Sequence, residues 1–289
     1  MPYETSLQFD SINVIESLLP PDDLRTGKDL FESVLAPYSI ADPGFVTGYR
    51  DVATRAEFFG ALRGILSTTG KYGRSPIIHI EAHGDAAGIE LKSMEHVEWM
   101  EIAPLLAKIN EAARMNLLVV AALCRGWNMI SILRPIDRSP AFAVLGTEEE
   151  PKAGDLYRAM KAFYQSLLEE PLDLRRGLDA ANGGVPLSEG TYGLLTAELM
   201  LCRVFRTYVA GDPDETESQR VSRLVVDLAR QQGADLRQTM YWRYEITKDI
   251  RDYSRWFEHY RKKFLMLDLF PDNERRFPMR YNDCRPVAA

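Results

Sequence analysis

The sequence predicts an α/β fold: a mostly parallel sheet sandwiched between helices, followed by a helical C-terminal region. Three observations carry this expectation. Apolar, strand-like runs alternate with segments of helical periodicity through the first half of the chain. Several runs are apolar almost throughout, as expected of strands buried on both faces. After "LDAANGGVPLSEGTYG", rich in glycine and small residues, only helical patterns follow. Alternating strands and helices imply parallel strands joined by right-handed crossovers.

Taken in order, "SLQFDSINVIESL" reads as a strand, "TGKDLFESVLAPY" as a helix and "GFVTGYRDV" as a short strand. "TRAEFFGALRGILSTTGKYG" sets Phe58, Phe59, Leu62 and Ile65 on one helical face and stops at glycine. "SPIIHIEAHG" is an Ile-rich strand ending at Gly84. "EHVEWMEIAPLLAKINEAARMN" has helical spacing interrupted by Pro104. "LLVVAALC" and "AFAVLGT" are apolar strands, and "GDLYRAMKAFYQSLLEE" carries a helical apolar stripe. The later helices are "GLLTAELMLCRVFRTYVA", "SQRVSRLVVDLARQQ" and one long helix through "LRQTMYWRYEITKDIRDYSRWFEHYRKKFLMLDLF". This gives two expected domains, 1–185 and a helical accessory or regulatory region over 186–289.

With 289 residues, 46% of them apolar, the chain can bury a substantial core. Its net charge of −7 argues against general nucleic-acid binding, which would need a basic face. Three cysteines, Cys124, Cys202 and Cys284, are too few and odd in number for a disulfide framework. Cys202 reads as core and Cys284 as incidental. "MPYETSLQFD" lacks the basic start and apolar core of a secretory leader, and no apolar run reaches the length of a membrane span. The expectation is a reduced, soluble, cytoplasmic protein with no membrane partner.

Several binding motifs are excluded, and no cofactor or metal is expected. His79 and His83 are four apart, but on a strand that separation is about 13 Å, too far for one zinc ion. "GDPDETES" lacks the glycine of a calcium loop, and "TTGKYG" lacks the spacing of a phosphate loop. The aromatic residues from Tyr241 to Phe264, interleaved with Arg and Lys, have the composition of a stacking surface for nucleic acid. Helix packing is the simpler account, and a docking surface for a regulatory protein is a third.

The chemistry concentrates in one pair. His83 closes one strand before Gly84, and Cys124 closes the next strand after one crossover helix. In such sheets the site lies beyond the carboxyl ends of the strands, so neighbouring strands would bring both to one rim. An imidazole can activate a thiol to the reactive thiolate. Gly84 permits a sharp turn or close approach, Gly126 lets the following loop turn away, and the amides of Gly84 and Cys124 could form an oxyanion hole.

His-Gly after one strand and Cys-Arg-Gly after the next resembles the caspase-like cysteine peptidases, whose signature sets a His upstream of Q-A-C-[RQG]-G. The order "HIEAHG", "VVAALC", "AFAVLGT" and "AFYQSLLEEPLDLRRGLDAAN" is most similar to the bacterial CHAT branch, relatives of separase, over residues 1–185. The resemblance implies a caspase-like α/β/α sandwich. It also implies a His83–Cys124 dyad, with His83 the general base and Cys124 the nucleophile, that cleaves a protein or peptide substrate. A role as a regulated effector in antiviral defence or cell death follows the same resemblance. Caspases carry a glutamine two residues before the nucleophile to hold an acidic P1 residue, and relatives that cut after Lys or Arg carry an acid. Here the position is Ala122, which supports neither. Asp85 and Arg125 are candidate substrate-binding residues, although Asp85 also reads as a solvated turn residue. Two other readings remain: a pseudo-protease acting as a binding or assembly module, and an α/β enzyme such as an amidase using Cys124 on a small molecule.

Overall fold

The apolar runs of the first half form one sheet in the computed structural model, which describes residues 8–20, 23–134, 137–169, 173–184, 190–206, 215–232, 235–249 and 252–284. The strands are β1 (Ser11–Ser17), β2 (Val46–Asp51), β3 (Pro76–Gly84), β4 (Gly88–Glu90), β5 (His96–Glu98), β6 (Leu118–Ala121), β7 (Ala143–Gly146) and β8 (Gly193–Thr196). The main order is β2–β1–β3–β6–β7–β8. All neighbours are parallel except β8, which runs antiparallel to β7. β3 is buried from Pro76 to Ala82, and β6 and β7 at every position, so both faces of the central strands are covered.

Helices flank the sheet. α1 (Thr26–Leu30) continues through a π-helical stretch, Phe31–Leu35, into α2 (Ala36–Ala41). α3 (Arg55–Tyr72) and α4 (Trp99–Ala112) pack together, and α1 packs with α5 (Ala153–Glu169), which also packs with α6 (Leu174–Ala181). The ends of α3 are fixed locally. Thr54 and Glu57 form a reciprocal capping box, and Gly73 closes the helix at φ +65°, where a side chain is disfavoured.

The chain leaves β1 towards β2 on one side and returns to β3 on the other. Strand order therefore reverses at β1, and the loops after β1 and β3 face a common crevice, the usual ligand position in such sheets.

Several expectations need correction. β6 ends at Ala121, so Cys124 lies on the turn beyond the strand rather than at its last residue. The segment before α4 is not all helix: His96–Glu98 pairs with β4 in an antiparallel hairpin that extends from the end of β3. Residues 186–289 are not wholly helical, because β8 completes the sheet edge. The two structural units are Met1–Leu133 with Ser139–Ala197, and Arg134–Arg138 with Glu198–Ala289. The leader reading on residues 1–7, part of the glycine-rich break (185–189) and part of the acidic connector (211–214) lie outside the described residues.

The second unit is helical, with α7 (Ala197–Phe205) leading into it, then α8 (Glu217–Gln232), α9 (Leu236–Asp249), α10 (Tyr253–Phe264) and α11 (Asn273–Arg276). The expected long helix is two helices, because the Asp252 side chain accepts the Arg255 N–H and starts α10 afresh. Val221, Leu224, Val225 and Ile246 form one core, flanked by Trp242 and Trp256. Phe205, Phe257, Tyr260 and Tyr281 form an aromatic cluster. The aromatics of α10 thus serve mainly packing, while Tyr241 and Tyr244 on α9 are exposed. Cys202 is buried as expected, but it is joined to Cys284 in a disulfide with Cα atoms 5.0 Å apart, correcting the expectation of reduced cysteines and of an incidental Cys284. Among the described residues, no helix is long and apolar enough to cross a membrane.

Candidate active site

The two strand ends singled out by the sequence meet at one rim. β3 and β6 are parallel neighbours, and the Ala122 amide extends the ladder by donating to the Ile80 carbonyl at 3.0 Å. Beyond it, Gly84 presses on the Cys124 turn. A Cβ at residue 84 would lie 2.5 Å from the Cys124 carbonyl oxygen and 2.3 Å from Leu123 Cδ1. Glycine is required there for close approach, not for an unusual φ. The turn after the thiol is unusual in another way. Arg125, not Gly126, adopts the left-handed conformation at φ +54°. Gly126 is small because a Cβ would lie 2.7 Å from Ala121 Cβ.

His83 and Cys124 share this rim, yet no hydrogen bond joins their side chains. The imidazole is exposed and turns to the loop after β1, where Nε2 lies 3.1 Å from both carboxylate oxygens of Asp23. Sequence reasoning missed Asp23. The available signal was its position in "PPDDLR", directly after the first strand and therefore at the same rim.

The thiol is partly buried and not in a disulfide. Burial pushes its pKa up and the Glu150 carboxylate pushes it further, against its own backbone N–H and Arg125. Arg125 is bound into the same surroundings: its amide donates to the Glu149 carbonyl at 3.0 Å and its guanidinium pairs with Glu150 at 2.8 Å. Glu149 and Glu150 line a cavity of about 580 Å³ together with Asp155, Arg158 and Tyr192. The buried Tyr192 hydroxyl has no hydrogen-bond partner, and burial with nearby carboxylates pushes its pKa up to about 12.

Asp85 is occupied by its own turn. One oxygen accepts from the amides of Ala87 and Gly88, and the carboxylate pairs with His96 at 3.3 Å. Against the effect of burial, the Gly88 and Ala87 amides and His96 hold its pKa below the usual range.

Behind the rim, the polar residues of β3 are paired in the core. His79 contacts Glu81 through Nε2 at 3.3 Å and the Tyr164 hydroxyl through Nδ1 at 3.2 Å, while the Thr26 hydroxyl donates to Glu81. Next to Glu81 on β1, buried Glu16 accepts the amides of Gly27 and Lys28, the Arg25 guanidinium and the Tyr49 hydroxyl. His79 and His83 therefore serve different networks. Among the described residues, no cluster of three or more His, Cys, Asp or Glu is arranged to hold a metal ion.

No protein-family model matches this sequence, and no curated protein matches it. Among solved structures, the chain is similar to the Drosophila initiator caspase Dronc, at 14% identity and a TM-score of 0.47, over 67% of this chain and 82% of that one.

Proposed function

We propose that this protein is a cysteine endopeptidase of the caspase-like, CHAT type, with His83 as general base and Cys124 as nucleophile. The observation that carries the reading is the backbone contact of Gly84 with the Cys124 turn. It brings the imidazole-bearing strand end against the thiol-bearing turn at the rim where such sheets bind ligands.

The chemistry needs few parts. The Cys124 proton passes to His83 Nδ1, the nitrogen not engaged by Asp23, and the sulfur attacks the substrate carbonyl carbon. The amides of Gly84 and Cys124 hold the resulting oxyanion. The imidazolium protonates the leaving amine as the C–N bond breaks, and water, deprotonated by His83, hydrolyses the thioester.

The raised thiol pKa supports a site of low basal reactivity that a partner or substrate raises, with His83 held by Asp23 throughout. That fits a regulated effector in bacterial defence or cell death, with the helical unit receiving the regulator. Leu236, Met240, Tyr241 and Tyr244 on α9 are exposed and offer an apolar surface for it.

The raised thiol pKa also favours a second reading, a pseudo-protease acting as a binding module. One experiment separates the two. A proteome-derived peptide library is incubated with wild type, Cys124→Ala and His83→Ala, and new N-termini are identified by mass spectrometry. Cleavage by wild type alone supports the peptidase. Equal cleavage by all three, or none with cell lysate added as a source of activator, supports the binding module.

A further inference from the structure

We infer that Asp23 is the positioning residue for His83, a third member of the site that fixes which ring nitrogen is the base. The inference rests on the reading of His83 as the base for Cys124. Both Asp23 oxygens lie 3.1 Å from Nε2. The Asp23 side chain is 19% exposed and the His83 side chain 59%, so the carboxylate is the more enclosed partner.

Asp23 is held from both sides. Its Oδ2 accepts the Leu19 N–H at 2.9 Å, and its own N–H donates to the Leu19 carbonyl at 3.1 Å. Immediately downstream, Arg25, Gly27 and Lys28 are bound to Glu16, and Thr26 to Glu81. Glu16 and Glu81 are register partners on β1 and β3. Gly27 must lack a side chain, since a Cβ would lie 2.6 Å from Glu81. The loop carrying Asp23 is therefore tied to the strand that ends in His83.

A carboxylate only accepts, so it selects the tautomer with the proton on Nε2 and leaves Nδ1 free to take the thiol proton. Asparagine substitutes only in part. The Leu19 N–H holds the amide oxygen at the Oδ2 position, still 3.1 Å from Nε2, and the NH2 takes the Oδ1 position at the same distance. The NH2 competes for the Nε2 lone pair, so the preference for a proton on Nε2 is weakened.

The test measures the His83 tautomer by 15N NMR, assigned by its loss in His83→Ala. Beside it stands the iodoacetamide rate of Cys124 at pH 6.5, in wild type, Asp23→Ala, Asp23→Asn and His83→Ala. The expected wild-type tautomer carries its proton on Nε2. Asp23→Ala loses that preference and alkylates roughly tenfold more slowly than wild type, while Asp23→Asn weakens the preference and slows alkylation by less. The Asn variant keeps the Leu19 contact, so its loss is not one of loop folding. An unchanged tautomer in Asp23→Ala overturns the inference. If His83→Ala slows alkylation and neither Asp23 variant does, the inference fails and the peptidase reading stands. If His83→Ala has no effect on alkylation, the peptidase reading fails, and with it any catalytic role for Asp23.

Discussion

Gly84 and the Cys124 carbonyl are in direct contact, with 2.5 Å between that oxygen and the position a Cβ on residue 84 would take. This contact joins the end of β3 to the turn after β6, so the geometry of the thiol depends on a residue with no side chain. Gly84→Ala is expected to cost about 1–3 kcal/mol through overpacking. Urea denaturation checks the stability, and the alkylation rate of Cys124 checks the displacement of its turn. A variant as stable as wild type with an unchanged thiol would show that the turn yields without consequence.

Charge around the thiol gives a prediction with two opposite arms. Glu150 pushes the Cys124 pKa up and Arg125 pushes it down. Glu150→Gln should lower the pKa and speed alkylation at pH 7.5 by about two- to fivefold, a modest factor because both charges face solvent. Arg125→Ala should slow it. Rates measured at low and high salt should converge as screening removes the difference.

The Cys202–Cys284 bond makes a countable prediction. Denatured, non-reduced protein should titrate one free thiol per chain, Cys124, and reduced protein three. Opening the bond by Cys202→Ser should destabilise the helical unit by about 2–5 kcal/mol, because it closes a long loop of chain. Thermal denaturation of the two forms measures the difference.

The helical unit should also be acid-sensitive. Arg223 holds Glu215, Arg138 holds Asp268 and Arg261 holds Glu274 below the usual carboxylate range. A carboxylate depressed in the folded state adds stability above its unfolded pKa of about 4, and loses it as pH falls through the folded value. The urea midpoint should therefore hold from pH 7 to 5 and fall below about pH 4. Arg261→Ala should flatten part of that fall.

The parallel core was legible because its evidence is local: β3, β6 and β7 are apolar runs, and their lengths and spacing imply crossovers. The place of His83 at the end of β3 was legible for the same reason, whereas Cys124 lies on the turn beyond β6, because the apolar run continues past Ala121 where the strand stops. β8 was not legible, because Gly193–Thr196 is a short edge strand whose pairing with β7 is set by tertiary contact. The β4–β5 hairpin is too short to show a period. The Cys202–Cys284 bond joins residues separated by 82 positions, which no spacing rule connects. Asp23 was hidden for a related reason. An aspartate in a turn is ordinary, and only the neighbouring of β1 and β3 turns it into a partner for His83.

Whether His83 activates Cys124 is read from the alkylation rate of Cys124 against pH in wild type and His83→Ala. Rates should be roughly tenfold or more lower in the variant at and below pH 7. The curves should converge at high pH, where the thiol ionises unaided. Superimposable curves across the whole range would contradict activation by His83, leaving Cys124 an ordinary thiol at the rim of a binding module.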